Sequence, residues 1–152
     1  MTIELIKENE IKETREMIKR ACALSRFADF YPQKYIDGGA DYETVKGRAE
    51  KMRFYVAKED GKIIGCGGIG PYWDRTDEGW IFTVAVAPEK QNLRVGTKII
   101  EVLEKDYYAL RSKRIEIHAA MSAIPFYKKL GYNHKNGDLT YADGHFDMEK
   151  FL

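Results

Sequence analysis

Residues 84–98 read Val-Ala-Val-Ala-Pro-Glu-Lys-Gln-Asn-Leu-Arg-Val-Gly-Thr-Lys, and their types and spacing suit the capture of a small polyanion. An apolar strand pattern ends at Pro88, a polar turn follows, and a helical pattern opens at Gly96. A helix N-terminus leaves backbone N–H groups unpaired and carries a partial positive charge. Phosphates bind readily there. Gly96 lets the backbone approach a ligand, and Arg94 and Lys98 can add charge-assisted hydrogen bonds. The expected pyrophosphate-holding set is Gln91, Asn92, Leu93, Arg94, Val95, Gly96, Thr97 and Lys98. An ordinary strand-to-helix loop with a glycine would read the same way, so this fragment needs a second motif beside it.

That motif is Ala123-Ile-Pro-Phe-Tyr-Lys-Lys-Leu-Gly-Tyr132. Together the two segments resemble the GNAT superfamily of N-acetyltransferases, which bind acetyl coenzyme A. The family pattern is a strand ending A-V-x-P, then Q/R-x-x-G-x-G/A and a helix, with A-x-x-F-Y-x-K-x-G-F/Y downstream. Gln91-Asn-Leu-Arg94-Val-Gly96 matches the first part, and Ala123, Phe126, Tyr127, Lys129, Gly131 and Tyr132 match the second. The resemblance extends, in its order of elements, along nearly the whole chain.

The resemblance implies a division of labour. Val84, Ala85 and Val86 should splay from the neighbouring strand and pair with the pantetheine arm, their amides polarising the thioester carbonyl. Ala123, Phe126 and Lys129 join the cofactor set. Tyr127 is placed to protonate the departing thiolate, since a phenol of pKa about 10 keeps its proton at neutral pH. The other reading of Tyr127 is a core aromatic with a tethered hydroxyl. Glu78, at the start of the central strand, is a candidate base for the amine, and equally a solvated residue at a strand edge. Two positions depart from the pattern. Arg94 replaces the first glycine of the turn, and Ala120 stands where many relatives carry an asparagine. A positive φ at an arginine is costly, so either the loop keeps a negative φ there or cofactor binding is weakened. The Arg94 side chain could instead bond a phosphate oxygen.

The acceptor side is read from aromatics and carboxylates. Phe27, Phe30, Tyr31 and Tyr35 lie between the first two helices; Tyr72, Trp73, Asp74 and Asp77 lie in the loop before the central strand. Such groups suit a cationic amine, and they would equally pin loops to the core. Phe30, Tyr31, Tyr72, Trp73 and His145 are the expected substrate contacts; His118 and His134 are read as structural or exposed.

The elements that must position these residues follow from periodicity. Residues 2–7 alternate as a strand, and Asn9 can cap a helix over roughly 10–27. Asp41 caps a helix to about Lys51. Residues 54–58 and 62–66 flank Asp60-Gly61 as a hairpin, and glycines 65, 67, 68 and 70 crowd its second strand. A strand over 80–87 precedes one helix over 96–110, with Ile99, Val102, Leu103, Tyr107 and Leu110 as its apolar stripe. A strand at 114–118, a helix over 122–130 ended by Gly131, and strands at 132–135 and 145–151 close the chain. The order β-α-α-β-β-β-α-β-α-β-β is mixed α/β: one GNAT-like domain over 1–152, its six- to seven-stranded, mostly antiparallel sheet flanked by about four helices.

Composition bounds the function. At 152 residues, with 44% hydrophobic and 32% charged side chains, one globular core is expected. A net charge of +1 argues against nucleic acid as a partner, although residues 90–114 hold seven basic against three acidic side chains. The charged N-terminus and the lack of a long apolar run point to a cytoplasmic protein without membrane contact. Cys22 and Cys66 read as buried free thiols, and no metal-ligand spacing is present. The expected activity is acetyl transfer from acetyl-CoA to a primary amine of a small molecule or peptide, directly and within a ternary complex. The rival is an acyl-CoA-sensing domain with weak turnover, motivated by Arg94 and Ala120. Homodimers are common in the resembling family.

Overall fold

A computed structural model gives the fold and describes residues 1–24, 41–142 and 144–152. Its elements are β1 (Thr2–Leu5), α1 (Ile11–Leu24), α2 (Tyr42–Lys51), β2 (Arg53–Glu59), β3 (Lys62–Pro71), β4 (Glu78–Val86), α3 (Val95–Leu103), α4 (Tyr107–Leu110), β5 (Arg114–Ala119), α5 (Ile124–Lys129), β6 (Asn133–His134) and β7 (Phe146–Phe151). The seven strands form one sheet in the order β1-β2-β3-β4-β5-β7-β6. Neighbours are antiparallel except β4 and β5, which run parallel. This is the mixed, mostly antiparallel architecture expected.

Each face of the sheet buries its own core. Ile64, Ile81, Ile115 and Ile117 meet Ile99, Ile100 and Leu103 of α3 on one face, where Ala109, Tyr127 and Tyr132 also pack. Phe54, Val56, Ile63 and Phe82 meet Ile11, Met17 and Ile18 of α1 and Val45 of α2 on the other. The glycines of β3 make this approach close. A Cβ on Gly65 would lie 2.8 Å from Ile99 Cδ1, and one on Gly67 would lie 2.8 Å from Ile99 Cγ2. So α3 rests almost on the strand backbone.

Local signals hold where they are self-contained. Asp41 Oδ2 accepts from the Thr44 amide at 3.2 Å and starts α2. Asp60 (φ 52°) and Gly61 (φ 75°) turn the β2–β3 hairpin. Gly131 (φ 94°) ends α5, with Tyr132 N donating to Tyr127 O and Gly131 N to Lys128 O, a Schellman pattern.

Two expectations are corrected. Asn9 does not cap α1: it lies inside a 3-10 turn over Glu8–Glu10, where the Glu10 carboxylate accepts the Lys7 amide at 2.9 Å. The single helix over 96–110 is two. Asp106 ends the continuity, because its side chain accepts from Tyr108 N at 3.0 Å and caps α4 afresh. The same buried carboxylate accepts Arg53 Nε at 3.0 Å and Tyr55 Oη at 2.6 Å. Tyr107 and Leu110 therefore leave the apolar stripe and stand 65% and 73% exposed.

Candidate active site

The site begins where β4 and β5 part. Their pairing runs from Glu78↔Arg114 to Ile81↔Ile117 and stops, although β4 continues to Val86 and β5 to Ala119. The cause lies on the other edge of β4. Gly68 pairs with Phe82 and Cys66 with Ala85, so β4 spends one more residue than β3 over this stretch. The extra residue makes a bulge, and Thr83 has φ 51°. A bulge bends its strand and increases its twist. Positive φ at a β-branched residue is a true outlier and must be held by its surroundings. Here Arg48 donates to Thr83 Oγ1, and Cys66 Sγ donates to Thr83 O at 3.2 Å. Beyond the bulge Val84 and Val86 face the α3 core and Ala85 faces the α1 core. On its β5 side, Val84–Val86 has no paired strand among the described residues.

Beside this opening stands the N-terminus of α3. A 3-10 turn over Pro88–Lys90 leads into Gln91–Arg94, and Gln91 Nε2 donates to Val86 O at 3.2 Å, tying loop to strand. The N-cap residue of α3, Arg94, makes no side-chain cap hydrogen bond. Arg94 adopts φ 65° and ψ 12°, and Asn92 also has positive φ. The loop thus keeps, at an arginine, the left-handed backbone usually left to glycine. Arg94 and Lys98 are exposed and make no ion pair among the described residues. An anion-binding N-terminus with two uncommitted cations suits a pyrophosphate. Gly96 also has a packing role. Its missing Cβ leaves room for Phe126, whose Cζ would lie 3.1 Å away. The N-terminus of α3 is thereby packed against α5 and Val86.

Tyr127 follows Phe126 on α5 and is 5% exposed, within the core that includes Ile117 and Ala119. Its ring lies edge-on to Tyr132 at 5.9 Å. Ala123 packs partly buried on the same core, and Lys129 is exposed. Motif residues from two distant segments therefore meet at the opening.

The opposite face carries a polar cluster that sequence spacing does not reveal. Arg114, Glu116 and His118 alternate with the apolar residues of β5. Glu116 is fully buried. Arg114 reaches its Oε1 at 3.0 Å, Lys135 Nζ at 2.7 Å, and His118 Nε2 lies 2.7 Å from Oε2. Burial alone would raise this carboxyl; hydrogen bonds from His118, Lys135, Tyr72 and Arg114 outweigh that and hold it down at about 2. His118 stacks on His145 at 4.4 Å and 8°, and Asp147 Oδ1 lies 3.2 Å from His145 Nε2.

Several expected contacts have partners or surroundings of their own. Glu78 is at the paired end of β4, six residues before Val84, roughly 20 Å along a strand. Both its oxygens lie 3.4 Å from Arg114 nitrogens, so it is not brought to the opening. Tyr72 offers its ring to Arg114 at 5.2 Å and Lys135 at 5.1 Å. Trp73 is 80% exposed. His145 lines a cavity of about 350 Å³ with Lys135, Asn136, Asp138, Thr140, Ala142 and Asp147. Phe27, Phe30, Tyr31 and Tyr35 lie outside the described residues. The basic run also disperses: Lys90 pairs with Glu59, Lys113 with Asp77, and Arg114 is buried. His118, His145 and Asp147 have the chemistry of metal ligands and lie within 4.8 Å of one another. Near-parallel rings, however, send their in-plane lone pairs along parallel planes that do not converge on one ion.

The opened parallel pair, the helix start beside it and the sheet order together define a split, mixed-sheet fold. Residues 18–132 match the Acetyltransferase (GNAT) family, and the chain belongs to it. Over 97 residues it is 29% identical to a probable N-acetyltransferase, camello, of Xenopus tropicalis; the match takes 60% of this chain and 43% of that one. The chain thus spans less than half of that relative. Its backbone superposes on PaiA N-acetyltransferase of Thermoplasma acidophilum, solved in complex with coenzyme A, with TM-score 0.82, 16% identity and both chains fully covered. N-acetylglutamate synthase of Neisseria gonorrhoeae, complexed with coenzyme A and N-acetyl-glutamate, superposes with TM-score 0.75 and 14% identity over 99% of this chain and 35% of that one. Likeness at these identities is likeness of fold. No helix among the described residues is long and apolar enough to cross a membrane.

Proposed function

We propose that the chain moves an acetyl group from acetyl-CoA to a primary amine of a small molecule or peptide, directly and within a ternary complex. One observation carries this reading: β4 and β5 part beside a helix N-terminus flanked by Arg94 and Lys98, which are exposed and unpaired among the described residues. The amides at the start of α3, with Arg94 and Lys98, would hold the pyrophosphate. The unpaired edge of Val84–Val86 would hold the pantetheine arm as an added strand does, and its amides would face the carbonyl. Bound there, the donor supplies an activated thioester. Tyr127 would give its proton to the departing thiolate. Two relatives solved with coenzyme A support the choice of donor. Direct transfer is favoured because both cysteine thiols are pushed up by burial, and a protonated thiol is a poor acyl carrier.

A second reading, an acyl-CoA sensor with little turnover, rests on the burial of Tyr127 within the core. One experiment separates them. Acetyl-CoA is titrated calorimetrically into wild type and Tyr127→Phe, and both are assayed against spermidine, an aminoglycoside and a lysine-containing peptide. The enzyme reading expects donor binding by both, with kcat lowered on the order of 100-fold in the variant and donor KM little changed. Donor binding without turnover in wild type selects the sensor. Absence of donor binding ends both.

A further inference from the structure

His118 stands at a place where a base could meet both reactants. The last β4–β5 pair is Ile81↔Ile117, so His118 is the first β5 residue past it, at the mouth of the opening. Strand alternation puts its side chain on the face opposite Ile117 and Ala119, and so opposite the Tyr127 core. A thioester lying in the opening would then have Tyr127 on one side and His118 on the other. The imidazole is a third exposed and borders, through His145 and Asp147, the cavity of about 350 Å³. His118 thus lies between that cavity's His145 and Asp147 wall and the last β4–β5 pair.

The hydrogen-bond pattern fixes which nitrogen can act. Glu116 is ionised at neutral pH and can only accept, so His118 Nε2, 2.7 Å from its Oε2, must carry the hydrogen. Neutral His118 therefore bears its lone pair on Nδ1, which has no hydrogen-bond partner among the described residues. The ring is held from several sides. Trp80 of β4 lies 6.1 Å away, His145 stacks at 4.4 Å, and Asp147 Oδ1 of β7 is 3.7 Å from Nε2. Arg114 and Lys135 reach Glu116 from behind, and Arg48 of α2 lies over Trp80.

We infer that His118 is the base that deprotonates the acceptor ammonium, with Glu116 as the positioning residue that fixes its tautomer. This rests on the amine acetyltransferase reading. The ammonium gives one proton to His118 Nδ1, and the freed lone pair forms the C–N bond while the C–S bond breaks. The thiolate takes the Tyr127 proton. The second nitrogen proton, lost as the amide forms, restores Tyr127 through water, and His118 returns its own proton to solvent. The net release is one proton per transfer.

The test uses the full chain and two independent readouts. Long-range ¹⁵N correlation spectra of ¹⁵N-histidine protein report the His118 tautomer without any acceptor. The expected result is Nε2–H with a bare Nδ1; an Nδ1–H tautomer overturns the inference. The second readout is the pH dependence of kcat/KM for whichever of spermidine, the aminoglycoside or the peptide is acetylated. Wild type should keep its rate well below the pKa of a free amine. H118Q should lose on the order of 100-fold and rise only toward the pKa of a free amine, about 10, with acetyl-CoA affinity unchanged. An H118Q profile matching wild type overturns the inference while leaving the proposed function intact. Wild type that binds no acetyl-CoA and acetylates nothing ends both.

Discussion

Arg94 holds φ 65° in a region that costs an L-residue roughly 1–2 kcal/mol. That cost and its guanidinium act on different observables, so one substitution can separate them. Arg94→Gly relieves the backbone, although glycine also loosens the unfolded chain by about 0.4–1 kcal/mol. The net gain is up to about 1 kcal/mol, a rise in Tm of up to about 4 °C for a chain of this size. The same change removes a cation from the start of α3, where a charge-assisted bond to phosphate is worth more than a neutral one. The expected outcome is a slightly more stable protein with roughly tenfold weaker coenzyme A binding. Thermal unfolding and calorimetric titration of the one variant check both parts. Unchanged or tighter binding would mean that the side chain takes no part in holding the cofactor.

At the scale of elements, the position of α3 depends on glycines of β3, the strand behind the opening. A Cβ at Gly65 would lie 2.8 Å from Ile99 Cδ1 and 3.2 Å from Val95 Cγ1. Gly65→Val must therefore lift the first turn of α3 from β3. Overpacking of this kind costs about 1–3 kcal/mol. Because that turn carries the amides proposed to hold the pyrophosphate, coenzyme A affinity should fall with stability. Gly47→Ala is the control: nothing lies within 4 Å of its Cβ, so α2 should gain roughly 0.5–1 kcal/mol with affinity unchanged. Denaturant unfolding and titration of the pair test the coupling; Gly65→Val with full affinity would break it. The contrast also shows what the chain discloses in advance. The Asp60-Gly61 turn, the Asp41 cap and the Gly131 stop were legible because each signal completes itself within a few residues. The end of α3 was not, since Asp106 answers to Arg53 and Tyr55 from β2 as well as to its own helix. The motif residues at the opening could be read from resemblance. His118 could not, because only the strand register shows that pairing stops one residue before it. The Glu78–Arg114 pairing could not be read either, as spacing along β4 does not reveal Arg114 directly across in β5.

For the molecule as a whole, the opening is an interruption in an otherwise continuous sheet. β3 pairs with β4 to Gly65↔Val86, and β5 pairs with β7 to Ala119↔Phe146, yet between them β4 and β5 share only four register pairs. The two halves are joined below the opening by that short ladder and across one face by α3 and α5 packing through Gly96 and Phe126. A ligand that lies along Val84–Val86 would supply the missing strand edge and bind only the folded state. At one hundred times its Kd it would add about 2.7 kcal/mol to stability, or several degrees in Tm. The location of that gain is the sharper test. Amides of Val84–Val86 that point into the opening should exchange with solvent faster than those of Glu78–Ile81 in the free protein. Coenzyme A should slow the first group and leave the second nearly unchanged, because the second is already bonded to β5. Residue-resolved hydrogen exchange with and without coenzyme A reads this directly. Uniform slowing across β4 would instead mean global stabilisation by a ligand bound elsewhere, and the opening would lose its claim to be the site.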